Sequence, residues 1–212
     1  MNLESRLQRF GAVPFSHGAL MPLLADYRRP NDKIAEWLAT GRLVSLKRGL
    51  YMLGPVLSAE PVTLPLVANL LYGPSYVSTD YALGFYGLIP EGVRQVTSVT
   101  TRRARRFDTP LGRFSYETLA LPAYRLGIAS QLDAAGHSYL MAAPEKALCD
   151  KLMLTPNLAI TGVSSMASYL EEDVRLDMDA LMTMDPDLLA RIAEVGSKKS
   201  LLRMLCRLRE RG

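Results

Sequence analysis

GRLVSLKRGLYML, Gly41 to Leu53, decides how the first part of the chain is read. Leu43 to Leu46 and Leu50 to Leu53 are apolar, strand-forming runs, and Lys47-Arg48-Gly49 lies between them. Gly49 supplies the conformational freedom of a tight turn, so the stretch reads as a β-hairpin with two cations at its tip. Such a tip contributes nothing to a core. It is either ordinary solvated turn chemistry or is aimed at something negative.

The residues before the hairpin favour the second reading. Leu3, Leu7 and Phe10 keep helical spacing, and Gly11 ends that helix. Val13-Pro14-Phe15 is an extended link, and Ser16 is placed to cap a helix carrying Leu20, Leu23 and Leu24. Pro22 falls inside that helix, where a kink is expected. After the Arg28-to-Asp32 turn, Ile34, Trp37 and Leu38 form one apolar face of a third helix, which Gly41 stops. Three helices and a hairpin are the order of a winged helix-turn-helix, whose third helix enters the DNA major groove while the hairpin reaches the backbone. The residues then expected at DNA are Arg28, Arg29, Asn31 and Lys33 around the third helix, with Lys47 and Arg48 at the wing tip.

The totals permit this without requiring it. The chain has 212 residues, 49% hydrophobic and 22% charged, with a net charge of +4. It is long enough for a small domain joined to a larger one and shows no compositional sign of disorder. Two distant cysteines, Cys149 and Cys206, make no disulfide framework and suit a reducing compartment. No apolar run spans a bilayer and the N-terminus has no signal-peptide core, so a cytoplasmic protein with no membrane partner is expected.

Gly54 to Pro61 reads as a linker. Beyond it, a helix is expected over Thr63 to Leu71, with another over Tyr76 to Leu88. Strands are expected at Val96 to Thr100, Phe107 to Thr109 and Arg113 to Thr118, the last two flanking a Pro110-Leu111-Gly112 turn. Tyr124 to Ile128 and Ser138 to Met141 are weaker strand patterns, and Pro144 opens the helix PEKALCDKLML. The fold class is therefore α+β. A winged helix-turn-helix occupies 1–54, and a mixed domain with a small, largely antiparallel sheet and C-terminal helices occupies 60–212.

Four blocks now carry a resemblance: RRPNDKIAEWLATGRLVSLKRGLYML, YGPSYVSTDYALGFYGLIPE, VTSVTTRRARRFDTPLGRFSYETL and MAAPEKALCDKL. In this order, over about Ser16 to Leu154, the chain resembles the AbiE-type antitoxins of type IV toxin–antitoxin systems. The resemblance implies a winged helix that represses its own operon by binding double-stranded promoter DNA. It also implies a larger domain that counteracts a nucleotidyltransferase-like toxin, by contact with it or through its RNA target. A stand-alone winged-helix regulator without a toxin is the alternative. Within the blocks, Ser78 or Thr79 is expected to cap a helix, while Ala147, Leu148 and the stem of Lys151 pack.

Enzymatic chemistry finds little support in the sequence. His17 and His137 are far in sequence from both cysteines, no phosphate-binding glycine loop occurs, and no cofactor or metal is expected. Gly162-Val163-Ser164-Ser165 followed by Asp177-Met178-Asp179 looks like the serine turn and paired carboxylates of a nucleotidyltransferase. Such a pair belongs on an apolar strand, whereas here Asp177 or Asp179 more simply caps a helix. Arg102, Arg103, Arg105 and Arg106 form the densest cation block. It is either the solvated end of a hairpin or a surface for nucleic acid or an acidic partner. Phe107, Phe114 and Tyr116 alternate as core strand residues do.

Overall fold

The computed structural model describes residues 3–90 and 92–211. The first unit comprises α1 (Leu3–Gln8), β1 (Phe15–Ser16), α2 (His17–Leu20), a 3-10 turn (Met21–Leu24), α3 (Pro30–Ala39), β2 (Leu43–Lys47) and β3 (Leu50–Leu53). Ser16 caps α2 by accepting the Ala19 N–H at 3.3 Å. Pro22 lacks a backbone donor, and the chain tightens from α to 3-10 geometry there. Pro30 begins α3, where a missing N–H costs nothing. The helices close over Leu7, Leu20, Leu24, Ile34 and Trp37, with Leu43 and Leu53 of the hairpin completing this core.

β1, β3 and β2 form a three-stranded antiparallel sheet in that order. Gly54 closes its base. A Cβ there would lie 2.0 Å from the Gly41 carbonyl oxygen, so only glycine allows the two backbones to approach. An irregularity between Ser45 and Lys47 shifts the register of β2 against β3. Side-chain alternation along β2 and β3 gives the hairpin two buried faces. Leu43 and Leu53 serve the first core, whereas Leu46 and Met52, flanked by Val44 and Leu50, belong to the core of the larger domain.

That larger domain holds α4 (Leu64–Leu71), β4 (Ser75–Val77), α5 (Thr79–Phe85), β5 (Val96–Thr100), β6 (Arg105–Thr109), β7 (Gly112–Thr118), α6 (Leu121–Tyr124), β8 (Ile128–Leu132), β9 (Ser138–Ala142) and α7 (Pro144–Leu154). Then follow α8 (Val163–Ser168), a π turn (Tyr169–Asp173), α9 (Met178–Thr183), α10 (Pro186–Val195) and α11 (Lys199–Arg211). Its sheet is larger than expected, and its pairings are antiparallel only in part. It has six strands, ordered β6-β7-β5-β4-β9-β8, and is mixed. Sequence neighbours β6/β7 and β8/β9 pair antiparallel, as does β4/β5, but β5/β7 and β4/β9 run parallel. Period-2 patterning marks strands without naming their partners, so these non-local pairings lie outside what it can reveal.

Two expected elements change. Ser75-Tyr76-Val77 is a fully buried central strand rather than the start of a helix, because β5 and β9 pair with its two edges. Tyr124 ends a helical turn, and the neighbouring strand begins at Ile128. No helix among the described residues is long and apolar enough to cross a membrane.

Candidate nucleic-acid interface

The start of α3 and the hairpin turn lie on one side of the first unit, and His17 links them. Its backbone N–H donates to the Gly49 carbonyl at 2.9 Å, and its ring Nε2 meets Asn31 Oδ1 at 2.9 Å. Asn31 is exposed and held in place by this contact. Sequence reasoning did not single out His17 for this role, since a lone histidine gives no sign of what it bridges. Gly49 sits at φ +77° with no atom near its missing side chain, so the turn it shares with Arg48 projects into open space.

The expected cations divide into two groups. Arg28 and Arg48 are exposed and enter no ion pair among the described residues. Arg29 is also exposed, but its Nε lies 2.8 Å from Asp32 Oδ2. Lys33 departs from the expectation. Its Nζ is held by both Glu36 carboxylate oxygens at 2.7 and 2.8 Å and lies 5.9 Å from the Trp37 ring centroid. The cation is therefore half-buried and already neutralised instead of pointing outward.

Lys47 departs further. It is the last residue of β2, paired with Leu50, and its Nζ donates to the Leu71 carbonyl of α4. The expected wing tip thus reduces to Arg48 and Gly49. Lys47 turns back because the other face of the hairpin is covered by the larger domain. Burial, followed by the nearby charges of Arg105 and Arg102, lowers its pKa below the ordinary lysine value.

Those two arginines belong to the second cation group, which lies beside the hairpin. Arg102 and Arg103 occupy the bend before β6, and Arg105 and Arg106 form the start of this edge strand. All four are exposed, and none makes an ion pair among the described residues. The guanidiniums of Arg102 and Arg105 each lie 5.8 Å from the Tyr72 ring centroid, and that of Arg105 lies 5.2 Å from Phe107. The backbone of the bend is pinned as well: Tyr72 Oη donates to Arg103 O at 3.2 Å, and Thr118 Oγ1 to Arg102 O at 2.8 Å. Phe114 and Tyr116 are buried core residues, as their alternation predicts.

The Asp-x-Asp pair does not form a metal clamp on a strand. Asp177 caps α9, its Oδ1 accepting from Asp179 N at 3.0 Å and Ala180 N at 3.3 Å, and Asp179 is exposed in the following turn. Among the described residues, no group of three or more His, Cys, Asp or Glu side chains is placed to hold a metal. Gly162 and Ser165 instead close the first turn of α8 on themselves, with Gly162 N–H donating to Ser165 Oγ at 3.0 Å.

A buried polar cluster joins two of the blocks that carry the resemblance. Lys146 and Asp150, both 0% exposed, meet at 2.5 Å across one turn of α7. Asp150 Oδ2 also accepts from Tyr76 Oη at 2.9 Å and Ser78 Oγ at 2.8 Å. Ser78 precedes α5 as expected, but its hydroxyl goes to Asp150 and makes no cap. Desolvation by burial raises the Asp150 pKa, and its three donors oppose that rise. Ala147 and Leu148 are buried, and Lys151 reaches Asp80 at 2.6 Å. The cluster has no opening to solvent, so it ties β4 and α5 to α7 rather than forming a site.

No protein-family model matches the chain, and comparison with curated proteins finds no match.

Proposed function

We propose that this chain is a DNA-binding autorepressor and the antitoxin of a type IV toxin–antitoxin pair, acting in the cytoplasm. On this reading residues 3–53 are a winged helix-turn-helix. α3 enters the major groove of the protein's own promoter, Asn31 meets base edges, and Arg28 and Arg48 grip phosphates on either side. The larger domain then counteracts a nucleotidyltransferase-like toxin, directly or at its RNA target.

The observation that supports nucleic-acid binding most strongly is the unneutralised positive charge. Arg28, Arg48 and the four arginines of the β6 edge are exposed without ion-pair partners among the described residues. Three cations, Lys47, Arg102 and Arg105, crowd closely enough to disfavour one another. Crowded like charges oppose folding, and a polyanion reverses that penalty. Asp177 serves as a helix cap, which favours this reading over an enzyme that uses Asp177 and Asp179.

The test is promoter binding over a salt series, together with growth rescue from the co-expressed neighbouring toxin. Replacing Arg28 and Arg48 with Ala should weaken binding to all sequences and flatten the log–log salt slope by roughly 0.9 per lost phosphate contact. Rescue should survive, because those residues lie outside the larger domain. Unchanged affinity and slope would remove the winged helix from the account. DNA binding with no rescue of any toxin would leave a stand-alone regulator.

A further inference from the structure

The six-stranded sheet ends in two edges of opposite character. At one end, β6 carries Arg105, Arg106 and Asp108, charges that discourage pairing with another strand. At the other end, β8 reads Ile128-Ala129-Ser130-Gln131-Leu132, with no charge and no proline. It has none of the features by which an exposed edge is ordinarily protected.

The hydrogen bonds flanking β8 and β9 fix which backbone groups face outward. Ala143 N–H donates to Gly127 O at 2.8 Å and Asp133 N–H to His137 O at 3.0 Å, so alternate residues from Gly127 to Asp133 point toward β9. Ile128, Ser130 and Leu132 therefore direct their N–H and C=O groups away from the sheet, and none has a partner among the described residues. Leu132 is 69% exposed, and Leu140, on the same face, is 43% exposed. By contrast, the inner edge of β9 beyond the end of β4 is sealed from within. Asn69 accepts from Leu140 N at 2.5 Å and donates to Leu140 O at 3.3 Å.

We propose that β8 is a homodimerisation strand, pairing antiparallel with β8 of a second copy about a two-fold axis through Ser130. Any antiparallel strand can meet its own copy about such an axis; what suits β8 to it is that its outward positions are uncharged, with a small residue at the axis and an apolar one on either side. Ser130 faces Ser130, and Ile128 faces Leu132 in both directions. All three outward residues then exchange backbone hydrogen bonds. Each exposed Leu132 covers an Ile128 on the open face, and no like charges meet within the strand. The two sheets become one continuous sheet with the arginine edges at its far ends. The pairing does not depend on the DNA reading.

Sedimentation velocity of the full chain between about 5 and 200 µM should show a concentration-dependent shift from monomer to dimer, in the range expected for a small interface. Ser130→Pro removes an outward N–H that the monomer does not use, and Leu132→Arg puts a cation on an exposed position. Each should weaken association by at least about tenfold while leaving the far-ultraviolet spectrum and melting temperature of the monomer unchanged. Amide exchange at Ile128, Ser130 and Leu132 should slow as concentration rises. A wild-type chain that stays monomeric throughout, protection only on adding a different protein, or a dimer undiminished in both variants would overturn the proposal.

Discussion

Lys146 with Asp150, and Arg102 with its neighbouring arginines, are two ways of holding charge in one domain. The first pair is fully buried, and its charges are answered by each other, by Tyr76 and by Ser78. The second group sits at the surface beside Lys47, with aromatic rings beneath it and no ion pair among the described residues. Charges that the fold requires are enclosed and matched. Charges that the fold merely tolerates are left unmatched at the surface, and on the proposed reading that is where the nucleic acid lies.

The largest expected effect tests the first half of that contrast. Asp150→Ala should destabilise the protein by about 3–5 kcal/mol in urea unfolding, because it strands a buried ammonium. A combined Lys146→Met and Asp150→Leu exchange should recover most of that loss. If the single variant lost less than about 1 kcal/mol, the pair would not be holding α7 to β4.

Next in size is the shared hairpin. Met52→Ala should cost about 2–4 kcal/mol, as a core truncation does, although Met52 lies within the stretch first read as a projecting wing. Calorimetry should show one cooperative transition in the wild type if both cores unfold together through β2 and β3. Two separated transitions would show that the hairpin does not couple them.

The arginine edge should behave in the opposite way to the buried pair. Arg102→Ala with Arg105→Ala should change stability by no more than about 0.5 kcal/mol while lowering nucleic-acid affinity and flattening its salt slope. A large stability loss with unchanged binding would break the contrast. Added salt should also raise the melting temperature of the wild type more than that of this variant, by screening the crowded cations.

The smallest effect concerns Lys47. Its pKa is lowered in the folded state, so the folded chain releases this proton before the unfolded chain does. Stability from this group therefore rises with pH, but only between the lowered value and the ordinary 10.5. Below that window both states are protonated, and it contributes no pH dependence. Subtracting the urea profile of Lys47→Met from that of the wild type should isolate the rise, and a flat difference would contradict it.

Local signals in the sequence agree with the structure. Ser16 and Asp177 cap helices, Pro144 opens a helix that runs to Leu154, and the strands at Val96 and Leu50 begin where their patterns do. Each depends on neighbours a few residues away. What sequence did not reveal depends on distant partners. Ser75 to Val77 becomes a strand only because β5 and β9 flank it. Lys146 and Asp150, at helical i,i+4 spacing, carry no mark distinguishing a buried pair from a surface one. Lys47 likewise looks like a turn cation until α4 is placed behind it. The cation block at Arg102 was visible as composition, but its position beside the hairpin was not.

The two-faced hairpin also has a consequence in time. Residues 41–53 leave the ribosome ready to pair, yet β6, which comes to lie beside β2, starts only at Arg105. At ordinary synthesis rates that interval is on the order of 3–10 s. Throughout it the first unit can close its own core, but the face that carries Leu46 and Met52 lacks the strand that completes its cover. The nascent chain therefore carries a temporary sticky surface on an otherwise finished piece, a natural place for a chaperone to wait until the rest of the sheet arrives.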